Sequence, residues 1–191
     1  MTADAASGIG DVALTLKYAL RTGAYPVSIG VGAEFPTGDS RAFGRNRENP
    51  QVIIYLPTGD DEFNVWLRGY ASHSFHPRAA FISLDLGYNR RTQGFTDQYQ
   101  LGLELGQRLF DRIWLLGNLR RLATAGTARA DGAFSSLGLG EGVEYTSLGG
   151  GLSVRVAPHV DLTADISSGL GRIRNIYSGI NLGLGLAVEL P

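Results

Sequence analysis

Cysteine is absent from the 191 residues, which excludes a disulfide framework, thiol catalysis and a cysteine-ligated zinc site. Three scattered histidines lack metal-ligand spacing and leave little for other transition metals. An excess of charge of either sign is also missing. Lys and Arg number 17 against 18 Asp and Glu, so nothing in the balance points to nucleic acid or another polyanion as a partner. No run of about 20 apolar residues exists, which excludes a transmembrane helix. Residues Met1–Gly8 are small and polar, without the basic start and apolar stretch of a signal peptide. For an exported protein, the expectation is a leader that has been removed or lies outside this sequence.

What is plentiful is glycine, with 27 residues, about twice the usual share. At 43% hydrophobic and 18% charged residues the chain is too apolar for a disordered glycine-rich segment, so the glycines belong to ordered structure. Helical periodicity fails almost throughout, whereas two-residue alternation recurs along the whole length. In Asp11–Arg21, Val12, Leu14, Leu16, Tyr18 and Leu20 oppose Ala13, Thr15, Lys17, Ala19 and Arg21. Val27–Phe35 repeats the pattern and reads as the second arm of a hairpin. Further strands are expected near Glu62–Phe75, Ala80–Asn89, Gln98–Arg108, Arg112–Arg121, Tyr145–Val156, Val160–Ser168 and Ile176–Leu190. Gly30, Gly32, Gly102, Gly106, Gly183 and Gly185 fall on the polar face, where sheet curvature is the simplest reason for them.

Short turns at Thr22–Ala24, His76-Pro77, Phe110–Arg112 and Ala157-Pro158 alternate with longer joins at Pro36–Asp61, Arg91–Asp97, Leu122–Gly142 and Gly169–Asn175. Tight turns at one end, loops at the other and strands of about ten residues with one apolar face belong to outer-membrane barrels. Strands of a soluble sandwich average only about five to six residues. The expected fold is therefore all-β, a single domain over 1–191: an antiparallel transmembrane β-barrel of about nine to twelve strands. Nine visible strands leave the first and last running the same way, whereas barrels of this class close antiparallel with an even number. The expectation is an odd number of strands missing upstream of Gly8, or an unassigned contribution from Gln51–Leu56.

The polar faces carry Lys17, Arg21, Glu34, Arg68, Asp85, Glu104, Arg108, Arg120, Arg155, Asp161, Asp165 and Glu189 as candidate lumen-lining residues. Both signs are present. They fit either a water-filled channel for small solutes or an ion-paired plug in a non-conducting structural barrel. His73-Ser74 raises the question of a barrel lipid hydrolase, but neighbours on a strand point to opposite faces and cannot form a nucleophile–base pair. The repeated Pro-Thr-Gly-Asp at Pro36–Asp39 and Pro57–Asp60, beside Asp61 and Glu62, could offer oxygens to calcium, but as a paired turn it needs no metal.

Three stretches carry a resemblance: Ser7-Gly8-Ile9-Gly10-Asp11 before a strand, Phe35-Pro36-Thr37-Gly38-Asp39, and Gly87-Tyr88-Asn89-Arg90-Arg91-Thr92-Gln93-Gly94-Phe95. In these the chain resembles proteobacterial outer-membrane proteins labelled transporter, or phenol-degradation MetA-pathway-like. That resemblance implies further strands and a signal peptide before the Gly-x-Gly-Asp stretch, and uptake of hydrophobic or aromatic small molecules. The end, Val188-Glu189-Leu190-Pro191, departs from the aromatic terminus usual in such barrels. The expected function is a porin-like channel or transporter in the cell outer membrane, not an enzyme and without a cofactor. Its expected partners are outer-membrane lipid and a small-molecule solute, not nucleic acid, with homo-oligomers compatible. A soluble lipocalin-like binding protein is the rival from another class.

Overall fold

A computed structural model describes residues 8–41, 43–45, 49, 51, 53–55, 57–127, 140–174, 176 and 179–188. Among these, all regular structure is β. The strands are β1 (Val12–Arg21), β2 (Val27–Phe35), β3 (Phe43–Arg45), β4 (Ile53–Tyr55), β5 (Asn64–Phe75), β6 (Ala80–Arg91), β7 (Gln98–Leu109), β8 (Ile113–Thr124), β9 (Glu144–Ala157), β10 (Val160–Arg174) and β11 (Asn181–Val188). Nine form one antiparallel sheet in the order β1-β2-β5-β6-β7-β8-β9-β10-β11, and β3-β4 pair separately. The nine expected strands are the nine of the sheet. Gln51–Leu56 does not supply a tenth, because Ile53–Tyr55 pairs with Phe43–Arg45 inside the long β2–β5 connection.

Each strand is hydrogen-bonded to its neighbour in sequence apart from that inserted hairpin, so the sheet is a pure meander. Its outer strands are β1 and β11, which do not pair with one another, and the sheet is not closed. An antiparallel ninth strand runs in the direction of the first, so an antiparallel bond between these two edges is geometrically forbidden.

Several strands run further than alternation alone suggested. β6 continues to Arg91, because Asn64 and Val65 of β5 still pair with Arg91 and Arg90. β10 continues to Arg174, where the Gly169–Asn175 stretch was expected to be a loop. Leu170 and Arg174 pair with Thr146 and Glu144, and the register shift between them is absorbed where Gly171 adopts a φ of +66°. The chain positions connecting β8 to β9 that could have held another strand, Ala130–Leu139, lie outside the described residues.

The two faces differ in an order opposite to that of a soluble protein. On the inner strands large apolar side chains stand exposed on one face: Leu67 is 59% accessible, Leu86 53% and Leu105 50%. The buried positions within the sheet, Gly30, Gly32, Asn64, Trp66, Asn89, Arg91, Gln98, Gly102 and Gly106, all lie on the other. A flat single sheet would expose both faces alike. Burial confined to positions on the polar side is what a sheet curled toward that side produces, and antiparallel sheets twist and coil in this way.

The glycines do more than permit that curl. On the concave side, side chains from neighbouring strands converge, and each glycine receives one. A Cβ on Gly102 would strike the Asp85 carboxylate, and one on Gly106 the Phe81 ring. One on Gly149 would lie 2.7 Å from Asn118 Oδ1, and one on Gly185 2.6 Å from Thr163 Oγ1. These are directly opposed residues in the ladder. Large and small residues therefore alternate across the strands, which fills the interior without collision.

Candidate functional site

The ladder registers decide which polar residues share a face. Rows such as Lys17–Gly30–Arg68–Gly87–Gln100 and Tyr70–Asp85–Gly102–Arg120–Ser147 run straight across the sheet. The same registers add Glu34, Glu104, Arg108, Arg155, Asp161 and Asp165 to this face. Arg21 stands apart. A bulge between Ala19 and Arg21 sets it opposite Val27, with its guanidinium 5.8 Å from the Tyr25 ring. Glu189 lies outside the described residues.

Within the face, charges are engaged locally and their signs interleave. Lys17 Nζ lies 3.8 Å over the Tyr70 ring, and Arg68 lies 4.5 Å over Trp66. Glu34 accepts from Trp66 Nε1 at 2.9 Å and Asn64 Nδ2 at 3.1 Å, while Asp85 accepts from Gln100 Nε2 at 2.9 Å. At the turn end Arg155 makes a two-pronged pair with Asp161 at 3.0 and 3.1 Å, and Arg108 lies 3.5 Å from Asp111. Glu104 and Arg120 are exposed.

The best-buried polar groups gather at the loop end. Arg91 donates through Nε to Glu62 Oε1 at 2.6 Å and through Nη2 to the same oxygen. It also donates through Nη1 to the Gly140 carbonyl at 3.0 Å and through Nη2 to Asp60 at 3.3 Å, and it lies over the Phe95 ring. Three connections therefore meet on one guanidinium. Glu141, fully buried, accepts from the Thr96 amide at 2.9 Å and the Thr96 hydroxyl at 2.5 Å, which joins the β6–β7 connection to the β8–β9 connection.

Burial is the main influence on Glu62 and pushes its carboxyl up to about 8, against the opposing pull of Arg91. Three buried acceptors of the cluster, Glu62 Oε2, Asn64 Oδ1 and Asn89 Oδ1, have no donor among the described residues. A proton on Glu62 Oε2 would turn one of these acceptors into a donor, which is the chemical sense of the raised value.

Beside this cluster the two Pro-Thr-Gly-Asp turns are hydrogen-bonded to each other. The Asp39 amide donates to Thr58 Oγ1 at 2.8 Å and the Thr58 amide to the Asp39 carbonyl at 3.0 Å. The start of the described chain joins them: Asp11 accepts from the Gly38 amide at 2.9 Å, and the Thr37 hydroxyl donates to the Gly10 carbonyl at 2.8 Å. Gly38 must be glycine here, since a Cβ would sit 2.7 Å from the backbone of Thr58 and Gly59. No cluster of three or more His, Asp or Glu among the described residues could hold a metal ion. His73 faces away from the polar side. It stacks on Tyr25 at 4.3 Å, and its Nδ1 lies 2.9 Å from the Ala24 carbonyl, whereas Ser74 is on the opposite face.

Alternation identified the charged residues of the mid-strand face but missed Arg91, Asn89 and Gln98 as a buried group, and Glu141 altogether. One signal was present: Ser83, Asp85, Gly87, Asn89 and Arg91 continue a single polar face to the strand's end. No known protein family matches the chain, and no curated protein matches it either.

Proposed function

We propose that this chain forms most of the wall of an outer-membrane β-barrel that passes small solutes. The observation that carries the reading is the inverted sidedness of the sheet. Large apolar side chains stand exposed along one face of the sheet, while Asn64, Asn89, Arg91 and Gln98 are buried on the other, with Glu62 and Glu141 buried beside them in the connections. In water, an apolar surface of that extent is a liability; against acyl chains it is the low-energy arrangement. Tight turns at one end and long connections at the other support the same reading.

Closure of such a wall needs an odd number of further strands between β11 and β1, because the two edges run the same way and unpaired backbone groups are costly in lipid. The resemblance to MetA-pathway-like transporters adds hydrophobic or aromatic solutes as the proposed cargo. Because opposite charges interleave on the polar face, no strong field of one sign develops, and the channel should select weakly among ions.

The test is direct. The protein should require detergent for extraction, change gel mobility on heating, and give stepwise, weakly ion-selective currents in planar bilayers. Folded protein that inserts but stays electrically silent would favour a structural barrel whose loop-end cluster blocks passage. Detergent-free solubility would overturn the membrane reading itself.

A further inference from the structure

The β8–β9 connection does not stay beside the strands it joins. β8 and β9 are the sixth and seventh strands across the sheet, yet residues 140–143, just before β9, are fastened near the third and fourth. Arg91, the last residue of β6, donates to the Gly140 carbonyl at 3.0 Å. The Gly140 amide donates at 3.4 Å to Asp60 Oδ2, in the connection that leads into β5. Glu141 accepts from the Thr96 amide and hydroxyl just ahead of β7. To reach these partners the segment passes the loop end of β7, which lies between β6 and β8. Arg91 projects from the concave polar face, so the crossing is made on that side.

The segment is packed where it crosses. Glu141 and Val143 are buried, and so are Asn89 and Gln98, the polar-face residues at that end of β6 and β7. Gly140 and Gly142, at φ of +87° and +68°, flank Glu141 and let the chain turn there without a side chain to hold it off the wall. Four hydrogen bonds, to a strand end and to two neighbouring connections, hold it across the concave side. Those to the Arg91 guanidinium and to the Glu141 carboxylate are charge-assisted and stronger than neutral ones.

We infer that residues 140–143 are the constriction of the channel, an inward-folded segment that narrows its loop end and sets the size of solute that passes. The inference rests on the channel reading above and adds to it the place and manner of selection. The segment's one ionisable side chain, Glu141, is buried against Thr96, and Arg91 is engaged by Gly140, Asp60 and Glu62. What the segment offers the passage is therefore glycine and peptide backbone, without net charge. Such a restriction sorts solutes by width and not by sign. The solute class that fits it is small and compact, of either charge or none.

The chain has no cysteine, so an introduced pair reacts without competition. Thr96→Cys with Glu141→Cys is joined by a short bifunctional thiosulfonate reagent, which a reducing agent reverses. Planar bilayers record both states, with polyethylene glycols of graded size added to find the largest that enters. Joined, the pair should give the wild-type step conductance and polymer cut-off. After reduction the step should rise about twofold and larger polymers should enter, because the narrowest section of a pore dominates its resistance. Thr96→Val keeps the buried Glu141 and loses one of its two bonds to Thr96, and it should show a smaller rise in the same direction. Heat-dependent gel mobility reports that each variant is folded. Equal step size and polymer cut-off in the joined and reduced forms of a conducting protein would overturn the constriction while leaving the channel reading intact. Where the paired variant fails to fold, a folded Thr96→Val with the wild-type step and cut-off would overturn it in the same way. Silence when joined and current when reduced would support the constriction, whereas folded protein silent in every state and variant would sink the channel reading itself.

Discussion

Leu84 and Ser83 are neighbours in β6 and meet opposite surroundings. Leu84 stands on the exposed apolar face, opposite Leu103, while Ser83 is on the polar face, opposite Glu104. The same division runs through the inner strands β2, β5, β6 and β7, whereas β1 is exposed on both sides, and it is reinforced at one end only. At the loop end the polar face is closed over by Arg91 and its partners; at the turn end it stays open, with Arg155 and Asp161 exposed enough to meet solvent. The polar face thus changes along its length from a solvated surface to a buried network, whereas the apolar face keeps exposed large side chains from Leu67 near the loops to Leu105 near the turns. That difference assigns the specific interactions to one end of one face.

The largest expected effect breaks the buried end. Arg91→Met should cost about 3–5 kcal/mol, because it leaves Asp60 without its counter-charge and leaves Glu62 and the Gly140 carbonyl without their buried donor. Urea unfolding measures the loss, and faster proteolysis near Gly140 should accompany it, since Arg91 holds that carbonyl. A stability loss below about 1 kcal/mol would show that the cluster is not the fastener described here.

The next variants set the two faces against each other. Leu84→Arg should destabilise protein folded in lipid vesicles by about 2–4 kcal/mol if the face meets the bilayer interior. In water the same change should be close to neutral, because the side chain is already exposed. Ser83→Arg, one residue away, should cost less than about 1 kcal/mol, since it would stand opposite Glu104 on the polar face. Equal costs at the two positions would erase the distinction between the faces.

A pH series sharpens the contrast between the ends. The Glu62 carboxyl rises from 4.5 to about 8 on folding, so between those values the folded state holds a proton that the unfolded chain has released. Stability should therefore fall as pH rises through that window, and Glu62→Gln should flatten the slope. A wild-type profile as flat as the variant's would count against a protonated Glu62. The smallest effect is expected at the open end, where Arg155→Gln should cost about 0.5 kcal/mol or less, because exposed ion pairs contribute little.

Much of this arrangement is legible in residue order. Alternation located nine strands and separated the leucines from the charges, since a strand's side chains must point to opposite faces in turn. It stopped short at strand ends. Arg91 and Arg174 follow ordinary loop residues in type, and only their ladder partners reveal them as strand. Gln51–Leu56 looked like a candidate for the main sheet because a short apolar run carries no information about its partner. Its pairing with Phe43–Arg45 depends on chain proximity within one connection.

By itself the sequence determined the class of structure, the two chemical faces and the parity of the strands, because these follow from a period of two and from the order of turns and loops. Tertiary structure decided what the period could not reach. It matched each inward glycine to the side chain opposite it, brought Glu62, Arg91 and Gly140 together from three separate connections or strand ends, and made the two Pro-Thr-Gly-Asp turns partners. It also set the buried Glu141 against Thr96. These are contacts between segments distant in the chain, and register across the sheet, not local preference, selects which residues meet.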